Sequence, residues 1–113
     1  MSGLEFEITP AEVKARLDRG EHIRLIDVRE PEEHAICHME TATLIPMRTV
    51  PQSLQDLEAE SDSGDLICVF CHHGVRSLSV VDWLRRQGVE NCQSMAGGID
   101  RWSLEIDPAV RRY

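Results

Sequence analysis

The chain has 113 residues, 42% hydrophobic, 28% charged and 4% aromatic, with a formal net charge of −8 at pH 7. That length holds one domain, 1–113, with a real core, and the composition excludes disordered and fibrous classes. The acidic balance argues against binding nucleic acid or an anionic membrane surface, so any anion must be drawn by a local positive site.

Residues Met1 to Glu7 show no cationic region, apolar core or cleavage signal, and no later apolar run approaches membrane-spanning length. A cytoplasmic location is therefore expected, and Cys37, Cys68, Cys71 and Cys92 are expected as reduced thiols rather than disulfides. Thr9-Pro10-Ala11-Glu12 reads as a helix start, with Thr9 as N-cap, Pro10 at the first helical position and Glu12 completing a capping box. Val13 and Leu17 then share a face, and Gly20 supplies the stop.

Ile23 to Val28 reads as a strand whose carboxyl end carries Asp27 and Arg29, and Pro31 to Ile36 as a short helix. Ala42 to Ile45 is a short strand closed by Pro46, and Leu54 with Leu57 marks a helix between Pro51 and Glu60. Leu66 to Phe70 is apolar on both faces, as a central parallel strand must be. Leu78, Val81 and Leu84 or Arg85 give a helix opening at Ser77 and stopping at Gly88. Asn91 to Met95 is a last strand, and Gly97-Gly98 opens a final helix through Trp102.

Strands alternating with helices predict an α/β architecture, a mainly parallel sheet covered on both faces. Ligands of such sheets sit outside the carboxyl ends of the strands, so Asp27, Arg29 and Cys71 are expected at one crevice.

Cys71-His72-His73-Gly74-Val75-Arg76 is the segment that reads as a reaction centre. A cysteine at the tip of a buried strand, before a helix N-terminus, lies where unpaired N–H groups and the positive end of a dipole converge. Gly74 permits a positive φ, so the loop can curl with its amides inward as an anion-binding nest. Arg76 adds a permanent positive fork, and His72 and His73 can add fractional charge or hand over protons.

These residues resemble a known family. Cys71 to Ser77 is similar to the active-site loop of rhodanese (sulfurtransferase) domains in their single-domain form. Leu25-Ile26-Asp27-Val28-Arg29-Glu30 matches the family's Asp-x-Arg strand end, followed by a short Glu33-His34 helix. His38, Ala42 and Ile45-Pro46 fit its His-x-x-x-Ala-x-x-Ile-Pro segment. Ala96-Gly97-Gly98-Ile99-Asp100-Arg101-Trp102 fits its closing Gly-Gly-Ile-x-x-Trp signature. Cys37 departs from the pattern, standing where the family usually has glycine, and Glu40-Thr41 replace a frequent Pro-Gly turn.

The resemblance implies a three-layer domain with a five-stranded, mainly parallel sheet and a family core of about 19–108. It implies a sulfurtransferase that takes a sulfane sulfur from a donor such as thiosulfate onto Cys71 as a persulfide, then passes it to cyanide or a thiol. Cys71 would be the nucleophile, Arg76 would orient the anionic donor, and His72, His73, Gly74, Val75 and Ser77 would line the substrate. Asp27 and Arg29 would be a supporting pair. No cofactor and no metal is implied, and a protein sulfur acceptor is a possible partner. A phosphatase family of similar fold uses a loop one residue longer, so loop length points to sulfur; phosphatase or arsenate reductase chemistry is the weaker alternative, and a carrier or partner-docking module without turnover is the stronger one.

Other features have blander readings. Cys68 and Cys92 read as inert core thiols, and the Cys68/Cys71 spacing is not a redox motif because strand geometry points the two side chains to opposite faces. A zinc site from Cys71, His72, His73 and Cys37-His38 is disfavoured by adjacent histidines on a tight loop. Cys37 reads as a partly exposed thiol of no consequence, with a resolving role as the sharper option. Trp83 and Trp102 read as packing residues, Glu30 to Glu33 and Glu58 to Glu60 as solvated acidic faces, and Arg111-Arg112-Tyr113 as too short for a binding tail. The enzymatic reading requires that the Cys71 amides face inward and that its thiol be reachable.

Overall fold

A computed structural model describes residues 4–113; Met1-Ser2-Gly3, part of the stretch read for a leader, lie outside the described residues. The elements run β1 (Glu7–Ile8), α1 (Pro10–Asp18), β2 (Ile23–Asp27), α2 (Pro31–Ile36), β3 (Thr43–Leu44), a 3₁₀ segment (Met47–Ser53), α3 (Leu54–Asp62), β4 (Leu66–Phe70), α4 (Val75–Arg86), β5 (Cys92–Met95) and α5 (Gly98–Glu105). The strands form one five-stranded sheet in the order β1-β5-β4-β2-β3. Every pairing is parallel.

Strand β4 lies in the middle, and alternation along it divides the core. Leu66, Cys68 and Phe70 join Ile8, Val13, Leu25, Ile99 and Trp102 beneath α1 and α5. Ile67, Val69 and Cys71 join Val50, Leu57, Val80, Val81 and Leu84 beneath α3 and α4. Both faces of β4 are therefore dry, and each such aliphatic side chain contributes roughly 1.5–3 kcal/mol by leaving water. The opposite facing of Cys68 and Cys71 follows from the same alternation. Burial pushes the Cys68 thiol up to about 12 and raises that of Cys92, as suits inert core thiols.

Several boundaries differ from the sequence reading. Thr9 caps α1 by accepting from the Glu12 N–H at 3.1 Å, but the Glu12 carboxylate turns to Arg16 at 3.2 Å, so the reciprocal half of the expected box is missing. That reciprocal bond forms at α2 instead, where Glu33 Oε1 accepts from the Glu30 N–H at 3.1 Å. The segment before α3 is 3₁₀ with Pro51 inside it, because proline supplies no N–H and keeps its predecessor out of the α basin. Strand β3 is two residues long rather than four.

Strand β1 has no sequence signal: two residues show no period. It exists because β5 has a free edge, from which the Ser94 N–H donates to Phe6 O (2.8 Å) and, just beyond, the Ala96 N–H donates to Ile8 O (2.9 Å). Helix α4 opens at Val75, two residues before the expected Ser77, so the last part of the loop is already helical.

Candidate active site

Cys71 follows the last residue of β4, and Gly74 caps α4 at φ 101°, a left-handed conformation that curls the chain back over the sulfur. The Gly74 N–H donates to Cys71 Sγ at 3.1 Å and the Ser77 N–H at 3.4 Å. The Ser77 hydroxyl lies 3.4 Å from the same sulfur and 2.7 Å from the Ser94 hydroxyl. These are the free amides of the first turn of α4, so the sulfur sits at the positive end of a twelve-residue helix.

Helix α5 supports the loop from behind. Ile99 N–H donates to Cys71 O at 2.9 Å and Asp100 N–H to His72 O at 3.1 Å. Gly98, at φ 61°, comes so close that a Cβ there would lie 2.4 Å from His72 O and 2.5 Å from Cys71 O. The Gly-Gly-Ile signature is thus a backing plate for the loop.

One requirement of the sequence reading is met and one is not. The amides face the sulfur. The Cys71 residue, however, is only 1% exposed, so the thiol is not open to solvent as the enzymatic reading required.

The Arg76 fork is not waiting for an oxyanion. It is bidentate to Glu33, Nη1 to Oε1 at 2.7 Å and Nη2 to Oε2 at 2.9 Å. The Arg76 hydrogen bonds, aided by Tyr113, hold the Glu33 carboxyl at about 2, below its ordinary range, and Arg76 is raised in turn. The expectation of a solvated acidic face at Glu30 to Glu33 therefore fails at Glu33, whose side chain turns back to a cation supplied by another element.

Tyr113 is the functional candidate that sequence reasoning missed. Its hydroxyl donates to Glu33 Oε2 at 2.7 Å and accepts from Arg29 Nη1 at 3.0 Å. Its ring stacks on His72, centroids 3.8 Å apart and planes 6° from parallel. Burial pushes its phenol up to about 12. No sequence period marks it, because 84 residues separate it from Arg29.

Asp27 and Arg29 do not open into the crevice but lie fully buried beneath it. Asp27 accepts from Arg29 Nε at 2.9 Å and Nη2 at 2.7 Å, while Arg29 Nη2 also reaches Cys37 O at 2.8 Å. Burial pulls the Arg29 guanidinium down, but its bonds to Asp27 and Tyr113 outweigh that and raise it. The pair ties β2 to the turn after α2 and to Tyr113.

The remaining loop residues divide. Val75 is 76% exposed and contributes backbone to the helix start. His72 is lowered from its ordinary value, first by burial and then by His73, which works against its expected role as a source of fractional positive charge. His73 stacks on His72 and lies 3.9 Å from Asp100. Cys37 is 8% exposed and packs in the opposite half of the core from Cys71, which corrects the partly exposed thiol and disfavours a resolving role.

All four cysteines are free. His72, His73 and Asp100 bring ligand atoms within 4.8 Å of one another, but Asp100 already accepts from Arg112 at 2.8 Å. No helix of the described residues is long and apolar enough to cross a membrane.

A thiol just beyond a parallel strand's carboxyl end, with the Gly74 and Ser77 amides at the start of α4 aimed at its sulfur, is an arrangement that favours negative charge on that sulfur. Residues 9–105 match the Rhodanese-like domain family, and the chain belongs to it. It is 36% identical over 106 residues to "Thiosulfate sulfurtransferase GlpE" of Haemophilus influenzae, covering 91% of this chain and 95% of that protein. It is 33% identical to "Probable adenylyltransferase/sulfurtransferase MoeZ" of Mycobacterium tuberculosis, covering 94% of this chain but 26% of that one. The chain spans only 22–30% of the length of several curated relatives it matches. Among solved structures, a rhodanese-like domain protein from Staphylococcus aureus superposes with a TM-score of 0.78 at 29% identity, covering 96% of this chain and 99% of that one.

Proposed function

We propose that this chain is a sulfurtransferase that carries sulfane sulfur as a persulfide on Cys71. The observation behind this reading is the cradle, Gly74 and Ser77 N–H groups aimed at Sγ from the start of α4, and the reading requires that the side chains now burying Cys71 move aside for the donor. The Cys71 thiolate attacks the outer sulfur of a donor such as thiosulfate. A bond forms between Sγ and that sulfur, the donor's S–S bond breaks, and its electron pair leaves with sulfite. A nucleophile such as cyanide or a thiolate then takes the terminal sulfur and restores the Cys71 thiolate. Both steps pass through a negatively charged sulfur cluster at the same amides, so one set of donors serves both. Arg76 would orient an anionic donor after parting from Glu33, and Asp27 with Arg29 would hold the floor. The free cysteines are consistent with a reducing, cytoplasmic setting.

Mass spectrometry after thiosulfate treatment is expected to find one added sulfur on the Cys71 peptide, and Cys71→Ser to abolish both this and thiocyanate formation. Addition at Cys37 or Cys92 instead would overturn the assignment. The enclosed thiol favours a second reading, a carrier that loads once and unloads only to a protein partner. Steady-state thiocyanate production separates the two, because a carrier stalls after one sulfur.

A further inference from the structure

Arg76 belongs to the Cys71 loop, while Arg29 and Arg112 reach it indirectly, through Tyr113 stacked on His72 and through Asp100, whose N–H donates to His72 O. Each is matched by a carboxylate of this same chain, Arg29 by Asp27, Arg76 by Glu33 and Arg112 by Asp100. Arg76, the arginine of the loop itself, has a partner whose carboxylate is also held by a third residue through a short hydrogen bond. Glu33 keeps its bidentate grip because Tyr113 donates to its Oε2 at 2.7 Å and Arg29 fixes Tyr113 from below at 3.0 Å. The stack of Tyr113 on His72 anchors the same clamp to the loop itself.

An incoming dianion at Arg76 must displace Glu33 or sit beside it. Displacement breaks two charge-assisted bonds and the Tyr113 bond, whereas coexistence sets like charges together. A donor that brings its own positive group avoids both penalties, since its cation can face Glu33 while its sulfane head lies toward Cys71.

Resting on the sulfurtransferase reading, we propose that Glu33, positioned by Tyr113, is a specificity residue that selects sulfane donors of low net negative charge, zwitterionic ones above all, over dianions such as thiosulfate. Glu33 touches no reacting atom and acts through Arg76. Its removal therefore alters donor choice rather than the chemistry of the sulfur.

A series of three donors of one reaction class tests this. Thiosulfate is a dianion, methanethiosulfonate a monoanion, and 2-aminoethanethiosulfonate a zwitterion of zero net charge. Each gives its outer sulfur to Cys71 and departs as sulfite or the corresponding sulfinate, so charge balances throughout. The kcat/KM for each is measured on the whole chain and on Glu33→Gln, which keeps the acceptor for the Glu30 N–H. The variant-to-parent ratio cancels each donor's intrinsic reactivity.

Glu33→Gln should raise thiosulfate kcat/KM by roughly fivefold, the scale of one partly exposed ion pair, chiefly through KM. Methanethiosulfonate should gain less, and the zwitterion should gain nothing or lose. Tyr113→Phe keeps the ring stack and removes only the hydroxyl, so it should shift the ratios the same way by a smaller factor and serves if Glu33→Gln folds poorly. Equal ratios for all three donors, with Cys71 persulfide forming normally, would overturn this inference alone. If no donor forms persulfide on Cys71 in either protein, the sulfurtransferase reading falls and takes the inference with it.

Discussion

Replacing Gly98 by alanine probes how the active loop is held, and its cost follows from the geometry. At φ 61° an alanine costs about 1–2 kcal/mol in backbone conformation alone. Its Cβ would also meet His72 O at 2.4 Å, Cys71 O at 2.5 Å and the His72 carbonyl carbon at 2.6 Å, all backbone atoms that cannot rotate away. Restoring ordinary contact means moving the loop by roughly 1 Å. That motion strains the Ile99–Cys71 and Asp100–His72 backbone bonds, each contributing about 1 kcal/mol. The total is about 3–4 kcal/mol.

Gly64→Ala is the control, since Gly64 has φ 95° but nothing within 4 Å of the added carbon. It should cost only the conformational share, about 1–2 kcal/mol. Urea denaturation of both variants measures the difference, expected at about 2 kcal/mol. Single-turnover sulfur loading should fall about 100-fold in Gly98→Ala, the scale of a 1 Å misplacement of a reacting group, and stay near the parent rate in Gly64→Ala. Equal stability losses and equal loading rates in the two variants would refute the backing-plate argument.

Asp27→Ala should destabilise by about 3–5 kcal/mol, because it leaves the fully buried Arg29 charge without its carboxylate. The double change Asp27→Ala with Arg29→Met should recover part of that loss in denaturant melts; a single variant within about 1 kcal/mol of the parent would contradict it. Glu33 adds a pH signature. Its carboxyl sits at about 2 in the fold against an ordinary 4.5, so its stabilisation is complete above about pH 4.5 and disappears as pH falls through about 2. Because Arg76 and Glu33 are partly exposed, we expect about 1 kcal/mol from the pair. The stability gap between parent and Glu33→Gln, followed by acid titration of thermal melts, should be flat near neutrality and shrink below about pH 4.5; a gap that persists to about pH 2 would contradict the coupling.

The sequence located most of the scaffold because its signals are short-range. The apolar run Leu66 to Phe70 marks the central strand, and Pro31 to Ile36 is the helix its proline start predicts. Strand β1 escaped because Glu7 and Ile8 are extended only through the edge of β5. The early start of α4 escaped because Val75, at 76% exposure, gives no amphipathic cue.

The same division runs through the site. Cys71, Gly74, Ser77 and Arg76 are neighbours in the chain, so their convergence on one loop is written in local order. The commitments of those groups are not. Glu33 on Arg76 spans 43 residues, Ser94 on Ser77 spans 17, and Tyr113 on Glu33 spans 80. Local spacing determines which groups a turn can present, because a few φ/ψ choices fix it. Which charges are left free to meet a ligand depends on groups that only the folded sheet brings within hydrogen-bonding distance, and for Arg76 the fold supplied a carboxylate of its own.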